Sequence, residues 1–461
     1  MVELSRRAAL ALLGIGAVGT ALSWPRLTGS DIPGRRDDAL TVALFGTQQD
    51  ADARRSLVEG FQRIHPDIKV RIVAIQGQDW SNFFAKILTM VAAGNPPDVV
   101  SVATEGTQLF AERLAYPIDE FVTRDAAELQ EYFSDVHPSL IESFMYQGSL
   151  FQLPDNFNAA NVYYNTSAFE RAGIERPADN WTVDDFLRIG RTMRDKSEGN
   201  FLSYFWNNRL WGGVVPWLYI NDTSFLTEEK STGGDWLWNK FYPGQPTRSG
   251  GFLWQNADVL NDRAVESFEL LQQMVEEGIA ANPAQGGGNE LVSLFSRGSV
   301  GMTPAGGFWV QGLADAGFAN DEYDVTYFPK MRGQRHQFGA GGNAIMRTSE
   351  RKDEAWEWLK YCISVEGMSL AHTKPDSSLP RRSLNTELYG AGVGPKHWNV
   401  FYDTLEKFPD TAPMPAPPQQ AAVESALIKN VTAAITNGPN GVRRGLETMQ
   451  RDLELALKGN S

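Results

Sequence analysis

The sequence predicts an α/β fold built on a parallel, doubly wound sheet. Three observations carry this prediction. Short apolar runs of strand length alternate with amphipathic runs of helical period through the first third of the chain. Gly or Pro closes most of them. The chain has 461 residues of ordinary apolar content, 42% hydrophobic, enough for two or three domains and a substantial core.

The elements follow in order. Leu40-Thr-Val-Ala-Leu-Phe45 is a buried strand closed by Gly46. Asp50 is a cap for a helix carrying Leu57, Val58, Phe61 and Ile64 on one face, stopped by His65-Pro66. Ile68 to Val73 alternates as a second strand. Ser81 to Ala93 places Phe83, Phe84, Ile87, Leu88 and Val91 at helical spacing, and Gly94 and two prolines end it. Asp98 to Val102 is a third strand and Thr107 to Leu114 a short helix. Helix predominates after Asn161. Trp181-Thr-Val-Asp-Asp begins one helix, and Asn261 to Gly278 is a long amphipathic one. Asn289 caps the next, which ends at Arg297-Gly298. Glu354 to Ser364 is another, and Gln419 to Leu457 is helical with a break at Asn437-Gly-Pro-Asn-Gly. Pro409 to Pro418 is a Pro-rich connector.

Composition narrows the function. A net charge of −14 without a basic tract speaks against nucleic acid and against a basic membrane-surface helix. Cys362 is the only cysteine, so no internal disulfide forms, and its place on an apolar helix face predicts a core residue. The five histidines show no zinc spacing, and no metal or cofactor is expected. Gly286-Gly-Gly-Asn289 lacks the Lys-Ser/Thr of a phosphate loop and is expected to be a linker.

Arg6 and Arg7 precede an uncharged apolar run from Ala8 to Leu22, with small residues Ala21 and Ser23 at its end. This order is that of an export signal, assigned to residues 1–23, with 24–39 as a linker. Both the twin-arginine and the general secretory route remain open, because Ala9 stands where the twin-arginine pattern has phenylalanine. No cysteine lies near the cleavage region to carry a lipid anchor.

Six segments in order resemble the extracellular solute-binding proteins of family 1, the binding components of ABC importers. They are KILTMVAAGNPPDVV (86–100), LAYPIDEF (114–121), FQLPDNFNAANVYYN (151–165), FSRGSVGMTPAGGFW (295–309), DEAWEWLKYCIS (353–364) and SLPRR (378–382). The resemblance implies a two-lobed periplasmic-binding-protein type II fold with a hinge and an interlobe ligand cleft. It implies a first lobe of 40–155 and 300–337 and a second of 159–298 and 338–461. It implies an exported, monomeric, non-enzymatic protein that captures a carbohydrate and delivers it to ABC permease subunits.

Sugars present apolar C–H faces and a rim of hydroxyls, which aromatic planes and planar polar groups match. Trp309 falls where the family's Gly-Pro-Trp tryptophan stacks on a sugar, with Phe308 in the proline's place. Gly341 and Gly342, within Gly339-Ala-Gly-Gly-Asn343, lie where the chain is expected to recross the cleft. Polar candidates follow strand ends: Thr47, Gln48 and Gln49, then Thr104 and Glu105, then Asn156 and Asn158. Arg382 matches the family's arginine after Leu-Pro. Of Trp206, Trp211 and Trp217 in the segment FWNNRLWGGVVPW, Trp217 is the candidate second platform. Two other functions stay open at this point: the same role for a glycerophosphodiester or polyol derivative, with Arg382 on the phosphate, and a secreted carbohydrate-active enzyme.

Overall fold

The computed structural model describes residues 38–459 except 198, 200, 246–247, 284–287, 373–377, 390–393 and 439–440. The expected export signal at 1–23, the linker up to residue 37 and Gly286-Gly287 lie outside the described residues. Among the described residues the strands are β1 (Ala39–Phe45), β2 (Lys69–Ile75), β3 (Val99–Ala103), β4 (Met145–Tyr146), β5 (Ser149–Leu150), β6 (Gln152–Ala159) and β7 (Asn161–Asn165). They continue as β8 (Leu202–Tyr204), β9 (Leu226–Lys230), β10 (Phe252–Ala257), β11 (Val300–Ala305), β12 (Tyr323–Thr326), β13 (Gln337–Ile345) and β14 (Ala412–Pro413).

The first sheet has the order β2–β1–β3–β13–β6, with β14 paired to the start of β13. The strands β1, β2 and β3 are parallel, as their alternation with helices predicts. Both faces are covered, which is why β1 reads as a nearly continuous apolar run. Leu40 and Val42 pack on one face with Leu57, Phe61 and Leu359. Ala43 packs on the other with Phe83, Phe84 and Ile87. The second sheet is β12–β7–β11–β8. Val162, Tyr164 and Met302 point from it into a core with Phe186, Trp217 and Phe268. Tyr163 and Val325 point the other way, toward Phe295 and Phe401.

The helix ends follow local chemistry. Thr182 and Asp185 form a capping box for the helix Val183–Lys196. Asn261 caps Asp262–Glu276 through the Ala264 amide. The helix expected from Asp50 starts earlier, because Thr47 is its cap and Asp50 the reciprocal partner. It breaks at Arg54, and Arg55–Ile64 follows as a separate helix.

Strand pairing reverses two of the expected assignments. Residues 300–337 were expected with the first sheet, yet β11 and β12 both pair with β7 in the second. Residues 338–461 were expected with the second, yet β13 pairs with β3 and β6 in the first. The chain returns to the second core with Ala412, Met414 and Ala416 and then with the helices Gln420–Thr436 and Gly441–Lys458, through Val423, Leu427, Leu446 and Leu453. Periodicity identifies a strand but not its neighbour, so the order of elements left this pairing undetermined. The chain therefore passes between the halves after β6, between β12 and β13, and after β14. No helix among the described residues is long and apolar enough to cross a membrane.

Candidate functional site

The ends of β3, β6 and β11 and the start of β13 meet at the junction of the two halves. Beyond β3 the chain makes one turn, Thr104–Gly106. The Thr104 hydroxyl accepts from the Ala340 amide (3.4 Å) and donates to the Glu105 carboxylate (3.2 Å). Burial pushes the Glu105 carboxyl above its usual range, against the pull of its own backbone amide and Thr104. Asn158, next to last in β6, lies opposite Gly339 of β13. Its side-chain oxygen accepts from the Phe308 amide at 3.2 Å. This bond ties the crossing strand to the loop after β11.

That loop is the TPAGGFW segment. The Gly306 carbonyl accepts from the Tyr163 hydroxyl at 2.8 Å. A Cβ on Gly306 would lie 2.8 Å from the Phe308 ring and 2.9 Å from both Asn158 and Trp211. The glycine is required by crowding, since its φ is not positive. Phe308 is 36% exposed, and its ring meets Trp211 at 5.2 Å between centroids and 57°. Trp211 is half-buried, held in an irregular turn by extended backbone (φ −67, ψ 121) and left-handed Gly212 (φ 71). The Gly212 amide donates to Gln337 at 3.0 Å, and a Cβ on Gly339 would fall 2.8 Å from the Trp211 indole nitrogen.

The helix Gln420–Thr436 closes the group from the second half with Glu424. Ser81, on the helix Trp80–Ala92 of the first half, donates to it at 3.4 Å. Burial, then the charges of Glu105 and Asp79, push the Glu424 carboxyl up to about 7, and Arg209 pulls it back. Burial in turn lowers the Arg209 guanidinium, against the attraction of Glu424. Two rings, two carboxylates and an amide thus face one another across the junction. Such a set stacks on apolar faces and accepts or shares hydroxyl hydrogens. Among the described residues no three His, Cys, Asp or Glu side chains are grouped to hold a metal ion.

Of the candidates named from sequence, Glu105, Asn158 and Phe308 belong to this group. Trp309 does not: it is 3% exposed and packs on Tyr163 (5.6 Å) and Phe295 (5.9 Å). Phe308 is the N-cap and Trp309 the first residue of the helix Trp309–Asp315, which turns the second ring down onto the sheet. Trp217 is fully buried, its indole nitrogen donating to Tyr204 at 3.2 Å amid Phe186 and Phe328. Trp206 is buried too, so Trp211 is the ring of the three at the junction. Gly341 and Gly342 make room for β6: a Cβ would meet the Asn156 side chain at 2.6 Å or the Leu153 carbonyl at 2.5 Å. The Arg382 Nε donates to Glu406 at 2.5 Å, with its guanidinium over Tyr402, on the helix Val400–Lys407. Gln49 is exposed in the first turn of Gln48–Ala53, outside the contacts described above. Cys362 is buried, as its helix face predicts. Glu424, Arg209 and Ser81 were missed. Nothing local marks Glu424, which the tertiary return of the last helices brings to the junction.

The family model for bacterial extracellular solute-binding proteins matches residues 46–369. The melibiose/raffinose/stachyose-binding protein MelE of Bacillus subtilis is 24% identical over 279 residues, covering 58% of this chain and 60% of its own. The diacetylchitobiose-binding protein DasA of Streptomyces coelicolor is 24% identical over 368 residues, 77% of each chain. Among solved structures, the ABC substrate-binding protein from Listeria monocytogenes in complex with cycloalternan superposes with a TM-score of 0.72 at 17% identity. That match covers 91% of this chain and 99% of the other.

Two predictions follow from this geometry. Trp309→Ala removes a core ring and lowers stability by about 3–5 kcal/mol in chemical denaturation, whereas Phe308→Ala costs about 1 kcal/mol or less. The reverse ranking would put Trp309 back in the cleft. The second concerns pH. The raised Glu424 carboxyl contributes stability that is present at low pH and is lost as pH rises through about 7. Ligand-free protein therefore loses on the order of 1 kcal/mol between about pH 5 and about pH 8, and Glu424→Gln flattens that slope. An unchanged slope in the variant assigns the titration elsewhere.

Proposed function

The chain belongs to the bacterial extracellular solute-binding proteins, and on that premise we propose that it captures a carbohydrate between its two halves and delivers it to the permease of an ABC importer. The family is one of binding proteins and not of enzymes. The observation that carries the ligand class is the pairing of Trp211 and Phe308 beside Glu105, Asn158 and Glu424. The rings suit the C–H face of a pyranose, and the carboxylates and amide suit its hydroxyl rim. Relatives named for melibiose, raffinose and stachyose and for diacetylchitobiose support a mono- or oligosaccharide.

The mechanism is closure. A ligand touching Glu105 and Asn158 on one half and Trp211 and Glu424 on the other stabilises the closed arrangement by its contacts to both. The permease then reads the closed surface. The protein acts as a monomer outside the cytoplasm, exported by residues 1–23 through the twin-arginine or the secretory route.

A panel of mono- and oligosaccharides, with glycerophosphodiesters and polyols as comparators, tests this reading by thermal shift and calorimetry. At least one saccharide is expected to raise the melting temperature, by about 2.7 kcal/mol of added stability at a hundredfold excess over Kd. Trp211→Ala is expected to weaken that ligand about tenfold or more with little change in the ligand-free melting temperature. A shift given only by glycerophosphodiesters or polyols would overturn the carbohydrate assignment. Full affinity in Trp211→Ala would move the site off the junction.

A further inference from the structure

From Phe225 to Val259 of the second core the chain runs as the antiparallel ribbon β9–β10, which keeps Leu226, Phe252 and Trp254 in that core. The ribbon is rooted in the second half. The Asp258 amide donates to the Phe225 carbonyl (2.9 Å), and Gln450 of the last helix holds both the Ala257 carbonyl (2.9 Å) and the Val259 amide (3.1 Å). Its far end is packed into the first half. Gln108, one turn beyond Glu105, donates to the Phe252 carbonyl at 2.7 Å. The Gly148 amide donates to Gly250 (2.9 Å), and the Trp236 indole donates to the Gly148 carbonyl (3.0 Å). Phe241, on the helix Asp235–Phe241, stacks on Phe133 at 4.0 Å and 27°.

Glu142 anchors this contact. It is 1% exposed and accepts from Lys230 (3.1 Å), Arg248 (2.9 Å) and both the amide and hydroxyl of Ser249 (3.0 and 2.7 Å). Burial pushes its carboxyl up, and the charges of Lys230 and Arg248 with the Ser249 bonds outweigh this, so it stays ionised below its usual range. The backbones meet directly. Gly251 has φ 109, and a Cβ there would collide with the Met145 backbone. This is core-like packing and not a loose surface touch.

We propose that the ribbon and its helix form a strap that joins the two halves beside the cleft and limits how far the cleft opens. The proposal rests on the closure reading above. The dock has aromatic stacking, a buried four-donor carboxylate and backbone pairs, whereas the ladder is irregular between Trp254 and Ala257, near the root. The ribbon is held by both halves at once, through Phe252 and Trp254 on the second core and through the dock and Gln108 on the first. The strap adds a restraint at a distance from the three chain crossings.

The test uses the full chain with spin labels on Thr89→Cys and Ala433→Cys, exposed positions on the two halves, Cys362 being buried. Distance distributions are measured without ligand and with the best saccharide of the panel. Two variants release the strap. Glu142→Gln weakens the dock, and insertion of two glycines after Ala257, where Gln450 holds the ribbon, lengthens the root while leaving the dock residues in place. Each is expected to broaden the ligand-free distribution toward longer distances and to weaken saccharide binding about fivefold or more. Should Glu142→Gln fail to fold, the insertion alone decides. An unchanged ligand-free distribution in the insertion variant overturns the strap. A wild-type distribution that no saccharide narrows would instead overturn the closure reading, so the two failures are distinguishable.

Discussion

The antiparallel ladder between β6 and β13 is the constraint on which both halves depend. It runs from Ala159↔Phe338 to Gln152↔Ala344. Each strand leaves it directly into the second half: β6 through Ala160, whose amide donates to the Gln337 carbonyl at 2.8 Å, and β13 backward through His336. At these two crossings relative rotation is thereby confined to a few residues at one end of the ladder. His336 fixes that end. It is fully buried, stacks on Phe408 at 4.5 Å, and accepts from the Phe328 amide at Nε2 while Nδ1 faces the Gln334 carbonyl at 2.8 Å. Burial lowers its pKa to about 3, so the ring is neutral and its tautomer is set by these two partners. The pivot is insensitive to pH although the cleft beside it is not.

The same ladder explains what the sequence disclosed and what it withheld. Strands and helices of the first sheet were legible because each buries a face at its own period, as β1 and the helix Trp80–Ala92 do. The family order disclosed two halves joined by several crossings. Partnership was not legible. Whether the strand at 300–305 joins the first or second sheet is decided by Tyr163 and Tyr164 flanking it across space, and neither is near it in sequence. The site shows the same division. Glu105 and Asn158, named because strand ends collect at a cleft, lie at the junction of the halves. The order of the two rings after Gly307 was misjudged, because one helical step decides which ring meets Trp211 and which meets Tyr163. Glu424 depends on a helix returning after β14, more than 300 residues along the chain from Glu105, and no local pattern reports such a return.

Charge at the junction bears on how closure and ligand are linked on the proposed reading. Glu105 and Glu424 come from opposite halves, both are held above their usual range by burial, and Glu105 raises Glu424 further. Bringing the halves together without ligand therefore desolvates two carboxylates that repel each other, with Ser81 and Arg209 offsetting only part of the cost. A polyhydroxylated ligand supplies the missing hydrogen-bond donors and a face for Trp211 and Phe308. Empty closure is penalised and filled closure is not, which is the differential a ligand needs to shift a population. The strap acts on the opposite limit. It does not favour the filled cleft by any contact of its own; it reduces the range of open arrangements from which closure must start, and so lowers the entropy lost on closing. An acidic pair opposing empty closure and a docked ribbon limiting opening together narrow the motion to the interval in which a ligand can decide the outcome.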